Sequence, residues 1–486
     1  MEPLSVNLRL FAALDDAGVR FCHWKSNLHL GLGVAGAADL DLLVSSAHRV
    51  SFERVAHDVG FIDLVAPRLR ALPDIEDLLG FDGVTGRLSH LHVHYRLVLG
   101  EKRVKHHRLP IEDWLLEDTR RIDGIPVPAP EKELFVLYIR AILKSDPRSA
   151  FRAMRGVRRY AVPEEIVEEA RWLLAGADGV RLEEAPVTAG LDVLTEGFDE
   201  FIARIRHDEL SPGYVVREKR RLLHKLRPYQ RYPTTVGAVR KVWFRARYSR
   251  PARLIARVPR KHLDHPGPFV AVVGADGSGK TTLVTDLTEW LSWKVETRRI
   301  FFGQPKRSVP LRAIRKARYG TAYVGRRWGT VLRSDSMIER VVGSLRAVEW
   351  LYVAAGRVGR ESLARRSSAV GEVVIAERYP LPEIAETMEV AMDGPRLRGF
   401  SAAPAWAVAQ EERLYDRIGA ADPVFLLETD SDTLHARRLT DDWARLDAKA
   451  AAVTTAAASG RYQAVAADQP YEDVLLDLKR RIWALL

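Results

Sequence analysis

The sequence predicts an α/β protein with a doubly wound parallel sheet in its C-terminal half and, before it, an N-terminal α/β domain followed by a helical region. Three observations carry this prediction. Apolar runs at 269–273, 297–302, 372–376, 423–428 and 462–467 alternate with helix-spaced segments, as parallel strands joined by helical crossovers require. The first of these runs leads into Gly274-Ala275-Asp276-Gly277-Ser278-Gly279-Lys280-Thr281-Thr282 and then into the helical spacing of 283–287. In the N-terminal part, Ala38-Asp39-Leu40-Asp41-Leu42-Leu43-Val44 reads as a strand.

The 486 residues allow two to four domains, and 47% hydrophobic with 29% charged residues is an ordinary globular composition. One cysteine, Cys22, excludes an internal disulfide framework and a cysteine-based zinc site, and fits a reducing compartment. The N-terminus lacks a basic region followed by an apolar core, and no apolar run reaches the ~18–20 residues that span a bilayer. The expectation is a cytoplasmic protein, with peripheral membrane attachment open.

Taking the chain in order, 4–18 places Leu4, Leu8, Leu10, Phe11 and Leu14 at helical spacing, with Gly18 as a C-cap. A strand is expected over 19–26, ending in Trp24-Lys25-Ser26. In the strand over 38–44, Asp39 and Asp41 lie two apart and face one side, a pair able to hold one or two Mg2+ ions. A solvated strand face explains the same pair. A later strand, 89–95, puts His90, His92 and His94 on one face, as metal ligands, as contacts to a nucleotide phosphate or as a polar sheet surface.

Ser26, the spacer and the Asp39/Asp41 pair resemble the minimal nucleotidyltransferase superfamily, whose motif is a small polar pair, a spacer and two acids alternating on a strand. Lys25 stands where that superfamily usually has glycine. The resemblance implies a third carboxylate on a later strand, and His92 stands there instead.

A helix begins after Pro110, Pro126-Val127-Pro128-Ala129-Pro130 forms a stiff connector, and 131–144 reads as an amphipathic helix. Further helices are expected over 163–175 and 194–206. The domain reading is therefore 1–130, a helical region over 131–225, a basic linker over 226–267 and a C-terminal domain over 268–486.

The net charge of +11 is concentrated: 216–261 holds sixteen Lys/Arg and one acid, Glu218. Tyr229, Tyr232, Trp243, Phe244 and Tyr248 are interleaved with the cations, a pattern that fits an anionic membrane surface, nucleic acid or a charged connector folded on its own protein.

The spacing G-x-x-x-x-G-K-T between strand and helix has a chemical reason. Gly274, Gly277 and Gly279 let the backbone, including that of Asp276, Ser278 and Thr282, curl its N–H groups around a phosphate chain, and the helix adds its positive end. Lys280 would reach the β- and γ-phosphates of ATP, and the Thr281 hydroxyl would hold Mg2+.

Three further features resemble thymidylate kinases over about residues 268–486. Glu377-Arg378-Tyr379 ends a strand where that family carries Asp-Arg-Tyr. Residues 435–449 resemble its arginine-bearing lid, and 462–474 its last strand and helix. The resemblance implies that Asp276 approaches the acceptor, Arg378 grips the acceptor phosphate and Glu377 orients metal or acceptor. Gly277 occupies the loop position where some members have arginine, so Arg437, Arg438 or Arg445 would supply transition-state charge. The long basic segment between the second and third strands, including Arg312, Arg315 and Arg318, suits a phosphorylated acceptor.

The leading expectation is a P-loop kinase transferring phosphoryl from ATP to a small phosphorylated acceptor, a nucleoside monophosphate such as dTMP or a related sugar phosphate. The alternatives are nucleotidyl transfer at Asp39/Asp41, and a nucleotide-gated module recruited to a membrane or nucleic acid through 216–261.

Overall fold

The computed structural model describes all residues except 69–70, 73, 102–103, 146–161, 248–259, 305–307, 329–334, 382–383, 385–394, 400–402 and 438–442. The chain forms two compact units, Met1–Arg260 and Lys261–Leu486.

The first unit begins with α1 (Ser5–Asp16), β1 (Phe21–His23), α2 (Leu30–Val34), β2 (Leu40–Val44) and α3 (Arg49–Val59). It continues with β3 (Ile62–Val65), β4 (Ile75–Asp82), β5 (Arg87–His94) and the short pairs β6 (Leu97–Leu99) with β7 (His107–Leu109) and β8 (Arg120–Ile122) with β9 (Ile125–Val127). The short α4 (Glu112–Leu116) lies between those pairs. The main sheet runs β1-β2-β5-β4-β3. Only the β2–β5 neighbours are parallel; β1–β2, β5–β4 and β4–β3 are antiparallel.

Alternation along β2 and β5 divides the sheet's two faces. Leu40, Leu42, Leu91 and Val93 enter one core with Leu10, Leu14 and Phe52 of α1 and α3. On the other face Leu43 joins Trp24 and the helical region.

That region comprises α5 (Pro130–Lys144), α6 (Glu164–Gly176), α7 (Gly179–Thr188), α8 (Thr195–Arg206) and α9 (Pro212–Lys225). The sequence presents α5 as amphipathic, and the structure corrects this: it is buried on all sides, Glu131, Glu133 and Arg140 included. The cause is tertiary. The sheet face and α6–α9 pack around it, so its polar positions meet partners rather than water. Glu133, for example, accepts the side-chain amide of Asn27 at 2.8 Å. The strand expected over 19–26 is also shorter; β1 ends at His23, the Trp24 N–H still donates to the Asp41 carbonyl at 3.2 Å, and Ser26 takes a left-handed φ of 60°.

The basic linker is helical in part. α10 (Thr234–Arg247) is the last helix of the first unit among the described residues, and Lys241 pairs with Glu101 at 2.5 Å. Residues 248–259, with Tyr248, Arg250, Arg253 and Arg257, lie outside the described residues.

The second unit contains the two-residue β10 (His262–Leu263), then β11 (Phe269–Gly274), α11 (Lys280–Ser292), β12 (Thr297–Phe301), α12 (Val309–Trp328), α13 (Asp335–Ala369), β13 (Val373–Glu377) and α14 (Ala405–Tyr415). β14 (Val424–Glu428), α15 (Ser431–Arg437), α16 (Trp443–Ala458), β15 (Gln463–Ala466) and α17 (Tyr471–Trp483) complete it. Its sheet runs β12-β13-β11-β14-β15 with every neighbour parallel. β11 and β13 are buried along their whole length, which is why they read as unbroken apolar runs. β13 and β14 flank β11, so their C-terminal ends lie beside the turn that follows it.

Candidate functional site

The glycine-rich turn joins β11 to α11, with Gly277 and Gly279 at φ of 97° and 82°. A side chain at Gly274 would meet Ser278 Oγ at 2.6 Å and Leu427 Cβ at 2.9 Å, so the turn is drawn tight against β14. The Ser278 hydroxyl is buried with no hydrogen-bond partner among the described residues. An orphaned donor inside a curled loop is what an absent acceptor leaves behind.

Three cations from three elements converge on Asp276. Lys280 Nζ approaches Asp276 Oδ1 at 3.4 Å and donates to the Ala275 carbonyl at 2.8 Å. Arg378, at a left-handed φ of 57°, donates to Asp276 Oδ1 at 3.0 Å. Lys449, on α16, pairs with Asp276 Oδ2. Burial by itself would raise the Asp276 carboxyl, but Lys280, Lys449 and Arg378 hold it well below the usual carboxylate range. Burial pushes the Lys280 ammonium down to about 8, partly offset by Asp276.

Glu377 ends β13 fully buried and has two partners. The Thr281 hydroxyl donates to Oε1 at 2.5 Å and Arg299 of β12 donates to Oε2 at 2.5 Å. A hydroxyl beside a carboxylate is an all-oxygen donor set of the kind Mg2+ prefers, so these residues fit that ion.

Gly277, Ser278, Gly279 and Thr282 line a cleft of about 210 Å³ together with Arg437, Gln469 and Tyr471. Arg437 donates to the Ala467 carbonyl at 3.0 Å, and the Tyr471 hydroxyl to Asp286 at 2.6 Å. The expected lid over 435–449 is two helices, α15 and α16, tied by His435 to Asp447 at 2.9 Å. Of its three candidate arginines, Arg437 stands at the cleft. Arg438 and the side chain of Arg445 lie outside the described residues.

Sequence reading gave Lys449 no role of its own and passed over Arg299. Alternation along β12 places Arg299 two residues from the buried Thr297, but nothing local identifies Glu377 as its partner. In the basic segment, Arg315 and Arg318 are spent on Glu349, at 2.7 and 3.0 Å, rather than left open for an acceptor.

In the first unit, Asp41 faces His92 in the β2–β5 register, and His92 faces Asp77 in the β4–β5 register. Asp77 is an acid on this face that the sequence analysis did not place, because β4 was not read as a strand. Asp41 Oδ1 lies 2.9 Å from His92 Nδ1, 3.9 Å from His94 Nε2 and 2.5 Å from Lys25 Nζ. Asp39 lies just before β2 and meets a different ring, His90 Nδ1 at 3.1 Å, whose Nε2 lies 3.3 Å from Asp77. The two aspartates thus engage separate histidines.

Burial opposes ionisation of Asp41, but Lys25 and His92 hold its carboxyl well below the usual range. Burial lowers His92 despite Asp41, and lowers His94 further, helped by His92, Lys105 and Lys25. Arg140 stacks over Trp24 at 5.4 Å, and the Trp24 ring meets His94 edge-on at 5.1 Å, so α5 closes over this face of the sheet.

No family model matches the chain. It is 25% identical over 223 residues to "Uncharacterized ATP-binding protein YghR" of Escherichia coli K12, spanning 45% of this chain and 87% of that protein. It is 26% identical over 201 residues to "Uncharacterized ATP-binding protein YghS" of the same strain, 38% of this chain and 79% of that one. A shorter stretch of 118 residues is 34% identical to "Phosphonates import ATP-binding protein PhnC" of Burkholderia pseudomallei K96243, 23% of this chain and 38% of that protein. The relatives in these comparisons are similar to at most 45% of the chain, and what they have in common in name is ATP binding.

Proposed function

We propose that the second unit binds ATP with Mg2+ and transfers its γ-phosphoryl group to a small phosphorylated acceptor, a nucleoside monophosphate or a related sugar phosphate. The observation that carries this reading is the convergence of Lys280, Arg378 and Lys449 on one buried carboxylate, Asp276. Three cations held together at a phosphate-binding turn have charge to spare for phosphate oxygens once a substrate arrives. The relatives named for ATP binding support the donor half of the proposal.

In this reading Gly274–Thr282 cradles the donor phosphates and Lys280 neutralises the oxygens that gain charge. Thr281 and Glu377 would hold Mg2+, which would supply positive charge to offset that of the phosphates. Arg299 holds the Glu377 carboxylate in place from the other side. Arg378 orients the acceptor phosphate, and Arg437 closes the donor cleft. The transfer forms a bond from an acceptor oxygen to the γ-phosphorus and breaks the bond to the β-bridging oxygen, leaving ADP. Positioning and charge neutralisation are most of what this chemistry needs.

The competing reading is nucleotidyl transfer in the first unit at Asp39 and Asp41. ATP labelled at the γ-phosphate in one arm and at the α-phosphate in the other, incubated with a panel of acceptors, separates the two. Transfer of the γ-label that is lost in Lys280→Ala supports the kinase. Transfer of the α-label that survives Lys280→Ala and is lost in Asp41→Asn, with no transfer of the γ-label, supports the alternative and sinks the kinase reading.

For the basic stretch we propose contact with an anionic bilayer through α10. Its exposed Val236, Val239, Val242 and Trp243 share one side of the helix, an apolar stripe among cations.

A further inference from the structure

Beyond the nucleotide site, and independent of it, the first unit carries a second constellation. We infer that Asp41, His92 and His94 form a binding site for one first-row divalent transition ion of the Zn2+ or Co2+ kind.

The geometry is set by two adjacent parallel strands. Asp41 stands opposite His92, and His94 is two residues along β5 on the same face. The donor atoms are Asp41 Oδ1, His92 Nδ1 and His94 Nε2. They are separated by 2.9 Å (Asp41–His92), 3.1 Å (His92–His94) and 3.9 Å (Asp41–His94). Donors about 2.1 Å from one ion lie roughly 3.0–3.4 Å from one another, so these three can close on a single ion with little movement.

Two ring nitrogens and one carboxylate favour Zn2+, Co2+ or Fe2+ over Mg2+, which prefers oxygen. The supports are stiff. His94 is buried against Trp24, and His92 lies between Asp41 on β2 and Asp77 on β4 in the strand register. His90, held between Asp39 and Asp77, is engaged outside the trio.

Lys25 is the opposing element. Its ammonium lies 2.5 Å from Asp41 Oδ1, so a metal ion must take that oxygen from it, one cation exchanged for another. Lys25 therefore sets how tightly the metal binds.

The test uses the full chain stripped with chelator and then titrated with Zn2+ or Co2+. Bound metal is counted after desalting, and the Co2+ form is read by its visible absorption. The expected result is one retained Zn2+ per chain, not displaced by excess Mg2+. His92→Asn and His94→Gln should weaken Zn2+ binding by at least about tenfold, as loss of metal-site partners does. Lys25→Met should tighten it several-fold. His57→Asn, in the surface pair with Asp63, should change nothing. His92 is partly exposed, so its variant decides the matter if the His94 variant does not fold. Zn2+ binding unchanged in His92→Asn, or no retained Zn2+ in both the unaltered chain and Lys25→Met, overturns the assignment.

Discussion

Thr281 and Glu377 are 96 residues apart in the chain, and their side-chain oxygens are 2.5 Å apart in the fold. The contact joins the first turn of α11 to the last residue of β13, and Arg299 on β12 completes it from the other side of the carboxylate. Glu377→Gln keeps the shape and removes the charge. The variant should need roughly tenfold more Mg2+ for half-maximal phosphoryl transfer, in line with lost metal-site partners. A Mg2+ titration of the rate with each protein checks this; an unchanged requirement removes Glu377 from the proposed metal site.

Lys280→Ala should lower γ-phosphoryl transfer by about 10³-fold or more, the scale of removing one preorganised charge from a developing anion. Asp276 keeps Arg378 and Lys449 as partners, so the thermal transition should stay nearly in place. The rate and the melting curve, measured together, separate lost chemistry from lost fold.

Arg378→Ala should raise the KM for the acceptor more than that for ATP, because Arg378 follows β13 rather than lying in the donor turn. Arg378→Lys should recover only part of the loss if the phosphate is gripped by two N–H groups. A steady-state matrix in both substrates reads the split, and equal effects on both KM values would count against the assignment.

If Lys280 contacts the nucleotide as proposed, binding should depend on pH through this lysine. Burial holds it at about 8 against an ordinary value of 10.5, so between those values the unfolded chain binds more protons than the native one. Through this group, stability rises with pH across that window. ATP needs the charged ammonium, so binding near pH 8–9 should take up a proton fraction and weaken as pH rises. Below pH 7 the uptake through Lys280 should vanish. Calorimetry in two buffers of different ionisation heat measures it, and Lys280→Ala should abolish the uptake.

If α10 meets an anionic bilayer, the protein should co-sediment with phosphatidylserine vesicles at low salt and release as salt approaches the range where the screening length is about 8 Å. Trp243→Ala with Val239→Ser should weaken binding, while neutral vesicles should bind little. Duplex DNA and RNA gel shifts run beside it; binding there instead would move the basic stretch to nucleic acid.

Much of the second unit was legible because its signals are local. Buried parallel strands show as continuous apolar runs, and the turn after β11 must carry glycines and Lys280 at fixed spacing whatever surrounds it. All five expected strands are present within a residue or two of their read positions. In the first unit the local signals were weaker. β4 reads poorly because Glu76, Asp77 and Asp82 interrupt it, so the acid beside His92 was invisible. The polarity pattern of α5 pointed to a water-facing side because a pattern cannot say that other helices will cover that side.

The sequence alone determined the glycine-rich turn, the strand–helix alternation of 268–486 and the period-two sets Asp39/Asp41 and His90/His92/His94, because each depends on residues close together along the chain. Only the tertiary structure decided which of them meet. Sheet register put Asp41 with His92 and His94 and left Asp39 to His90. The parallel order of β12, β13 and β11 carried Arg299 and Glu377 to Thr281, and the return of α16 brought Lys449 to Asp276. Contacts of a few ångströms between residues up to 173 positions apart follow from strand order and helix packing, which no local pattern encodes.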